Sequence, residues 1–86
     1  MFKVEFTNKF VKQAKNLTAI ERKQMEKAIW NLTENPTQPS LRTKKYQSLQ
    51  NVFESSVNMD IRILWRYKLG ERAIILLLAC GHHDLL

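Results

Sequence analysis

His82 and His83 are the only histidines of the chain, and they stand side by side directly after the apolar run of residues 73–79. Imidazole is the side chain that gives or takes a proton near neutral pH. Upstream, Arg62 interrupts the apolar stretch Ile61-Arg62-Ile63-Leu64-Trp65. An arginine in such a run needs a charge partner or an anionic ligand. Its planar fork suits a phosphate. Arg66 and Lys68 repeat the parity of Arg62, so three cations share one strand face. Two readings of that face stand together. It binds phosphate, or Arg62 forms a surface ion pair with Glu54 or Glu71 from a neighbouring strand, which contributes little.

Other chemistry is restricted. Two histidines and one aspartate this close together are too few for a standard zinc site. The single cysteine, Cys80, leaves no partner for an intramolecular disulfide and no Cys-rich metal site. At the end of an apolar run it reads as a small buried hydrophobe. Phe53, Trp65 and Tyr67 have the chemistry to stack on bases, but Trp65 and Tyr67, in step with Ile61 and Ile63, read as core.

Eighty-six residues allow one domain. Fourteen Lys and Arg against eight Asp and Glu give a net charge of +6. That balance favours polyanions or an acidic protein partner. No apolar run is long enough to span a bilayer. Charges break every apolar run at the N-terminus, so no signal peptide is expected. The expected location is the cytoplasm.

The elements that would position these residues follow from periodicity. Residues 2–6 alternate apolar and charged, as a half-buried strand does. Thr7 and Asn8 are candidate caps for a short basic helix carrying Phe10, Ala14 and Leu17. Thr18 and Glu21 have the spacing of a capping box. They predict a second helix from Ala19 to about Glu34, with Met25, Ala28, Ile29 and Leu32 on its apolar face. Asn35-Pro36 ends it. Residues 37–51 read as a basic loop with Arg42, Lys44 and Lys45 and one short helical turn. Residues 52–57 and 61–68 alternate as strands, Leu69-Gly70-Glu71 makes a hairpin turn, and residues 72–79 form a central strand covered on both faces. The architecture predicted is α+β, in the order β-α-α-β-β-β: a helical hairpin packed on one antiparallel sheet, with Arg62 and Arg66 on its other face.

With these elements in place, the chain resembles the RelE/ParE superfamily of toxins from type II toxin–antitoxin modules, along nearly its whole length. Phe10 to Leu17 is similar to the family's first helix, and Asn35-Pro36 followed by Ser40-Leu41-Arg42 to the break after its second. Val57-Asn58-Met59-Asp60-Ile61-Arg62-Ile63 resembles the central "V-N-x-D-Y-R-I" segment. Gly81-His82-His83-Asp84 resembles the terminal "G-x-H-D". Ile61 departs from the aromatic common at its position, and no aromatic follows the histidines.

The resemblance implies a RelE-like fold and an acidic antitoxin as partner, with operator DNA bound only through that antitoxin. It implies a ribosome-dependent, metal-independent mRNA endoribonuclease with no cofactor. A DNA gyrase poison of the ParE branch and an inactive antitoxin-binding member are the alternatives. For RNA cleavage, Arg62 matches the central arginine and would stabilise the phosphate. His83 matches the terminal histidine and would be acid or base. Alignment on Asp84-Leu85-Leu86 selects His82 instead. Asp60 matches an acidic position used by YafQ-like members. Arg42, Lys44, Lys45, Arg66 and Lys68 would contact RNA.

Overall fold

The alternating segments close into one five-stranded sheet, and two helices cover one face of it. The computed structural model describes residues 1–86, except for the side chain of Leu85. The strands are β1 (Lys3–Phe6), β2 (Lys44–Lys45), β3 (Phe53–Ser56), β4 (Ile61–Lys68) and β5 (Glu71–His82), and the helices are α1 (Asn8–Ala14) and α2 (Ala19–Glu34). The order across the sheet is β1-β5-β4-β3-β2. β1 runs parallel to β5, and the other pairings are antiparallel. The sheet is therefore mixed, where a wholly antiparallel one was expected. The helical hairpin between β1 and the rest returns the chain to the same end of the sheet, which makes the β1–β5 pairing parallel.

Both helices start where the caps predict. The Thr7 side chain accepts from the Phe10 amide, and Thr18 and Glu21 form a reciprocal capping box. Phe10, Leu17, Met25, Ala28 and Leu32 face Ile61, Ile63, Trp65, Ile75 and Leu77 across one core.

The loop of residues 37–51 holds more structure than its composition suggests. Pro39–Leu41 is a 3-10 turn, and Lys44 and Lys45 form the edge strand β2. A buried relay anchors this loop. The Trp65 indole donates to Ser55 Oγ at 2.8 Å, Ser55 pairs with Thr43 Oγ1 at 2.6 Å, and Thr43 donates to the Pro36 carbonyl. Thr43's proton is spent on Pro36, so the Ser55 hydroxyl is the donor between them.

β5 lies inside the sheet, but only one of its faces is covered by helices. Ile75 and Leu77 are fully buried, while Ile74, Leu76 and Leu78 on the other face are half-buried. The expectation of a strand covered on both faces is corrected: the second face is open, apart from a small cluster of Val52, Leu64 and Ala79 with Tyr46, Leu78 and Leu86.

Candidate functional site

β4 brings Arg62 to the open face, because Ile61 and Ile63 on either side of it are wholly buried in the core. Its cross-strand neighbours are Ser56 on β3 and Gly81 on β5. Gly81 has no side chain to crowd the guanidinium. Arg62 Nε lies 3.4 Å from Glu54 Oε2, and its Nη1 donates to the carbonyls of Asn58 at 2.8 Å and Ile61 at 3.2 Å. One arginine is thus held by a carboxylate and two carbonyls, which leaves Nη2 for a ligand. Of the two ion-pair partners considered for it, Glu54 is the one present.

The guanidinium lines a hollow of 330 Å³ with Ser40, Arg42, Ser56 and Asn58. None of the residues lining it is acidic. Arg42 caps the 3-10 turn in the left-handed region, with φ 49° and ψ 42°. A side-chain-bearing residue there is strained by about 1 kcal/mol or more. Such strain concentrates at functional sites. Lys44 is in register with Glu54 and shares the Arg62 face, whereas Lys45 pairs with Phe53 and takes the opposite parity.

The acid–base residues gather at the end of the same strand. The Asn58 side chain accepts from the amides of Asp60 and Ile61, both at 2.8 Å, and so fixes a tight turn. The turn presents the Asp60 carboxylate to both histidines. One oxygen is in close hydrogen-bond contact with His82 Nδ1, and the other lies 3.2 Å from His83 Nδ1. His83 Nε2 in turn meets Asp84 at 2.9 Å.

Strand alternation predicts that the two imidazoles point to opposite sides, one of them toward Arg62. Instead both turn to Asp60. His82 is in register with Ile61, on the helix-side parity, and the chain leaves the strand at His83, whose amide donates to the Asp60 carbonyl. The register thus puts the histidine cluster at the strand end beside Arg62, not on the Arg62 face.

The charges interact accordingly. The hydrogen bond to Asp60 and that carboxylate's charge raise the His82 pKa above its ordinary value. The same hydrogen bond, with the imidazolium charge, lowers that of Asp60. The raised histidine favours the folded state at low pH and loses this contribution as pH rises through its folded pKa. The lowered aspartate contributes above its ordinary carboxylate pKa and loses this as pH falls through its folded value. The pair is thus charged on both sides across the mildly acidic range. Cys80 takes no part: burial pushes its thiol up to about 11. Among the described residues, no group of three or more His, Cys, Asp or Glu is arranged to hold a metal ion.

Arg42, Arg62 and Lys44 are brought together on the open face, and Asp60, His82 and His83 at its end. Arg66 and Lys68 are set apart from them, in a separate hollow by the β4–β5 turn. Ser40, Ser56 and Asn58 were not anticipated as site residues. Only Asn58, a turn-former two residues before Asp60, carried a signal in the sequence.

No protein-family model matches the sequence, and no curated protein does. Solved structures match the fold throughout. A chain of the intact E. coli RelBE toxin–antitoxin complex aligns over 95% of this chain and 96% of its own, with a TM-score of 0.74 and 14% identity. YafQ from E. coli strain BL21(DE3) aligns over 99% and 97%, with a TM-score of 0.76 and 15% identity. The metal-bound toxin from Helicobacter pylori aligns over 100% and 99%, with a TM-score of 0.72 and 26% identity. The chain has the fold of the RelE-like toxins.

Proposed function

We propose that this chain is the toxin of a type II toxin–antitoxin module, and that it cleaves messenger RNA on the ribosome. The supporting observation is that one end of β4 carries a fixed arginine, in a hollow with no acidic lining residue, and next to it an Asp60-bound histidine pair. Gyrase poisoning calls for no acid–base group, so this cluster would be idle in a ParE-like protein.

The reaction proposed is attack of a 2′-hydroxyl on the adjacent phosphorus. The O2′–P bond forms, the P–O5′ bond breaks, and the products are a cyclic phosphate and a 5′-hydroxyl. Arg62 Nη2 and Arg42 stabilise the charge that develops on the phosphate oxygens. Lys44 adds positive potential on the same face. His82 is the acid: Asp60 holds its Nδ1, keeps it protonated to higher pH, and leaves Nε2 to protonate O5′. His83 has both ring nitrogens on carboxylates. Once Asp84 releases its Nε2 and that nitrogen has given its proton to solvent, it is the second imidazole available, to take the 2′-hydroxyl proton. In this reading the acid is His82, and His83, which the terminal motif offers as acid or base, keeps the base role. The partner in this reading is a cognate antitoxin.

The test is to add purified protein to translating ribosomes and map message breaks by primer extension. Breaks are expected from the wild type, and His82→Ala should reduce them more than His83→Ala. Intact message together with inhibited DNA supercoiling would replace this reading with gyrase poisoning. Greater loss from His83→Ala would exchange the roles of the two histidines.

A further inference from the structure

A cleft of 310 Å³ runs along α2 beside the 3-10 turn, and the chemistry just described does not use it. Ser40, Ser56 and Val57 line both this cleft and the Arg62 hollow, so the two adjoin at the end of β3. Its far wall is one stripe of α2. Gln24, Lys27, Ala28 and Asn31 stand at i, i+3, i+4 and i+7 and so share a face. The wall and the arginine are tied together. Asn58 Nδ2 donates to Gln24 Oε1 at 2.8 Å, and the Asn58 carbonyl accepts from Arg62. Asn31 is held in place too, since its carbonyl accepts from Gln38 Nε2 at 2.8 Å.

The lining suits the base of a nucleotide rather than its phosphate. Ala28 and Leu41 give an apolar floor for a ring face. Neutral amides and hydroxyls stand above it, with Lys27 as the one cation and no acid. Lys27 has no ion-pair partner among the described residues. Asn31 bonds only through its backbone, so its side-chain amide is free. A carboxamide sets one donor and one acceptor side by side, the pattern that pairs with N6 and N7 of adenine. Guanine presents acceptors at both positions and would lose one of the two bonds. Single-stranded RNA leaves that edge open to be read. We propose that this cleft takes the base of a nucleotide flanking the scissile phosphate, and that Asn31 reads it as adenine. Lys27 then faces the next phosphate. The proposal rests on the nuclease reading, because the phosphate on Arg62 is what brings RNA to the cleft.

The test maps breaks at nucleotide resolution in a message that offers every base at each flanking position on translating ribosomes. Breaks beside adenine are expected roughly fivefold or more over those beside other bases, the scale of one bidentate base contact. Asn31→Ala should bring the adenine sites down to the rate at the others, which stay unchanged. Alanine is the better helix former, so the variant keeps α2. Arg62→Ala should instead lower breaks beside all bases alike. Binding is read separately by amide NMR on the intact labelled protein. The probes are uridine hexanucleotides with 2′-O-methyl sugars, which lack the attacking hydroxyl, with and without one central adenine. Both are expected to shift Arg42 and Arg62, and only the adenine-bearing one Lys27 and Asn31. Breaks with no adenine preference, or a preference that survives Asn31→Ala, would overturn this proposal and leave the nuclease reading standing. So would Lys27 and Asn31 amides that stay still while that of Arg62 moves. No breaks at all, together with no shift at Arg62, would remove the nuclease reading and this proposal with it.

Discussion

The open face of the sheet carries two arginines on one strand with the same parity, in opposite states. Arg62 is held by Glu54 and by two backbone carbonyls beside a fixed turn. Arg66 has no ion-pair partner among the described residues and borders the separate hollow by the β4–β5 turn. A guanidinium locked before its ligand arrives loses little freedom on binding and suits a transition state that demands one geometry. A guanidinium with free rotamers loses that freedom at each binding event. One strand thus presents a chemical end with a locked arginine and an end whose arginine is free, and the partners around each arginine, not its residue type, separate them.

Arg62→Ala tests the contrast most severely. Loss of one preorganised donor to a developing phosphate charge should lower cleavage roughly 10²–10³-fold. Stability should fall by about 1–3 kcal/mol, because the mostly buried Glu54 carboxylate and two carbonyls lose their donor. Arg66→Ala should change cleavage far less, because Arg66 lies outside the Arg62 hollow. Single-turnover cleavage by the two variants reads both ends. An equal loss from both would mean that the face is one continuous site.

Ser55→Ala tests whether the chemical end depends on the anchored loop. It leaves the Trp65 indole without its acceptor and Thr43 without its donor, at a cost of about 1–3 kcal/mol in denaturant unfolding. Thr43 lies between Arg42 and Lys44, so RNA cleavage should suffer beyond the stability loss. If cleavage per folded molecule is unchanged, Arg42 and Lys44 are not part of the chemistry.

Much of this arrangement was legible in the sequence, because it rests on local rules. The caps at Thr7 and Thr18 fix both helices, and the parity of Ile61, Ile63 and Trp65 sends Arg62 outward. The rest depends on pairing between distant segments. Nothing in Lys44-Lys45 announces a strand. It exists because Glu54 and Phe53 stand opposite, and because Ser55 and Trp65 hold Thr43. Alternation failed at the histidines because it applies only inside a strand. The chain leaves β5 at His83, so His83 turns to the same carboxylate as His82. The separation of Arg66 from Arg62 was equally invisible, since both share one parity and only their partners differ.

Asp60→Asn examines the chemical end more gently. The carboxylate raises the His82 pKa, chiefly through its hydrogen bond. An acid works while protonated, so cleavage should fall as pH rises through that pKa. With Asn in place of Asp the fall should move to lower pH. The pH–rate profile of pre-bound substrate gives the answer. A fall that stays in place would mean that His82 is not the acid.

The smallest effect expected is that of Glu54→Gln, and it bears most directly on why the two arginines differ. Glu54 does two opposed things at Arg62. Its oxygen fixes the guanidinium at 3.4 Å from Nε, and its negative charge opposes the phosphate that Arg62 is to bind. Glutamine keeps an acceptor oxygen and removes the charge. If fixation is the larger service, cleavage of bound substrate should stay within about twofold. RNA affinity should meanwhile rise by about 0.5 kcal/mol or more, because the Glu54 charge is mostly buried beside Arg62. Glu54→Ala removes both services, so it should improve affinity similarly but slow the bound-state step, because Arg62 then becomes as free as Arg66. Single-turnover rates at saturating and limiting RNA separate the two quantities. If the alanine and glutamine variants prove indistinguishable in rate, Glu54 does not position Arg62, and the contrast between a locked and a free arginine carries no kinetic weight.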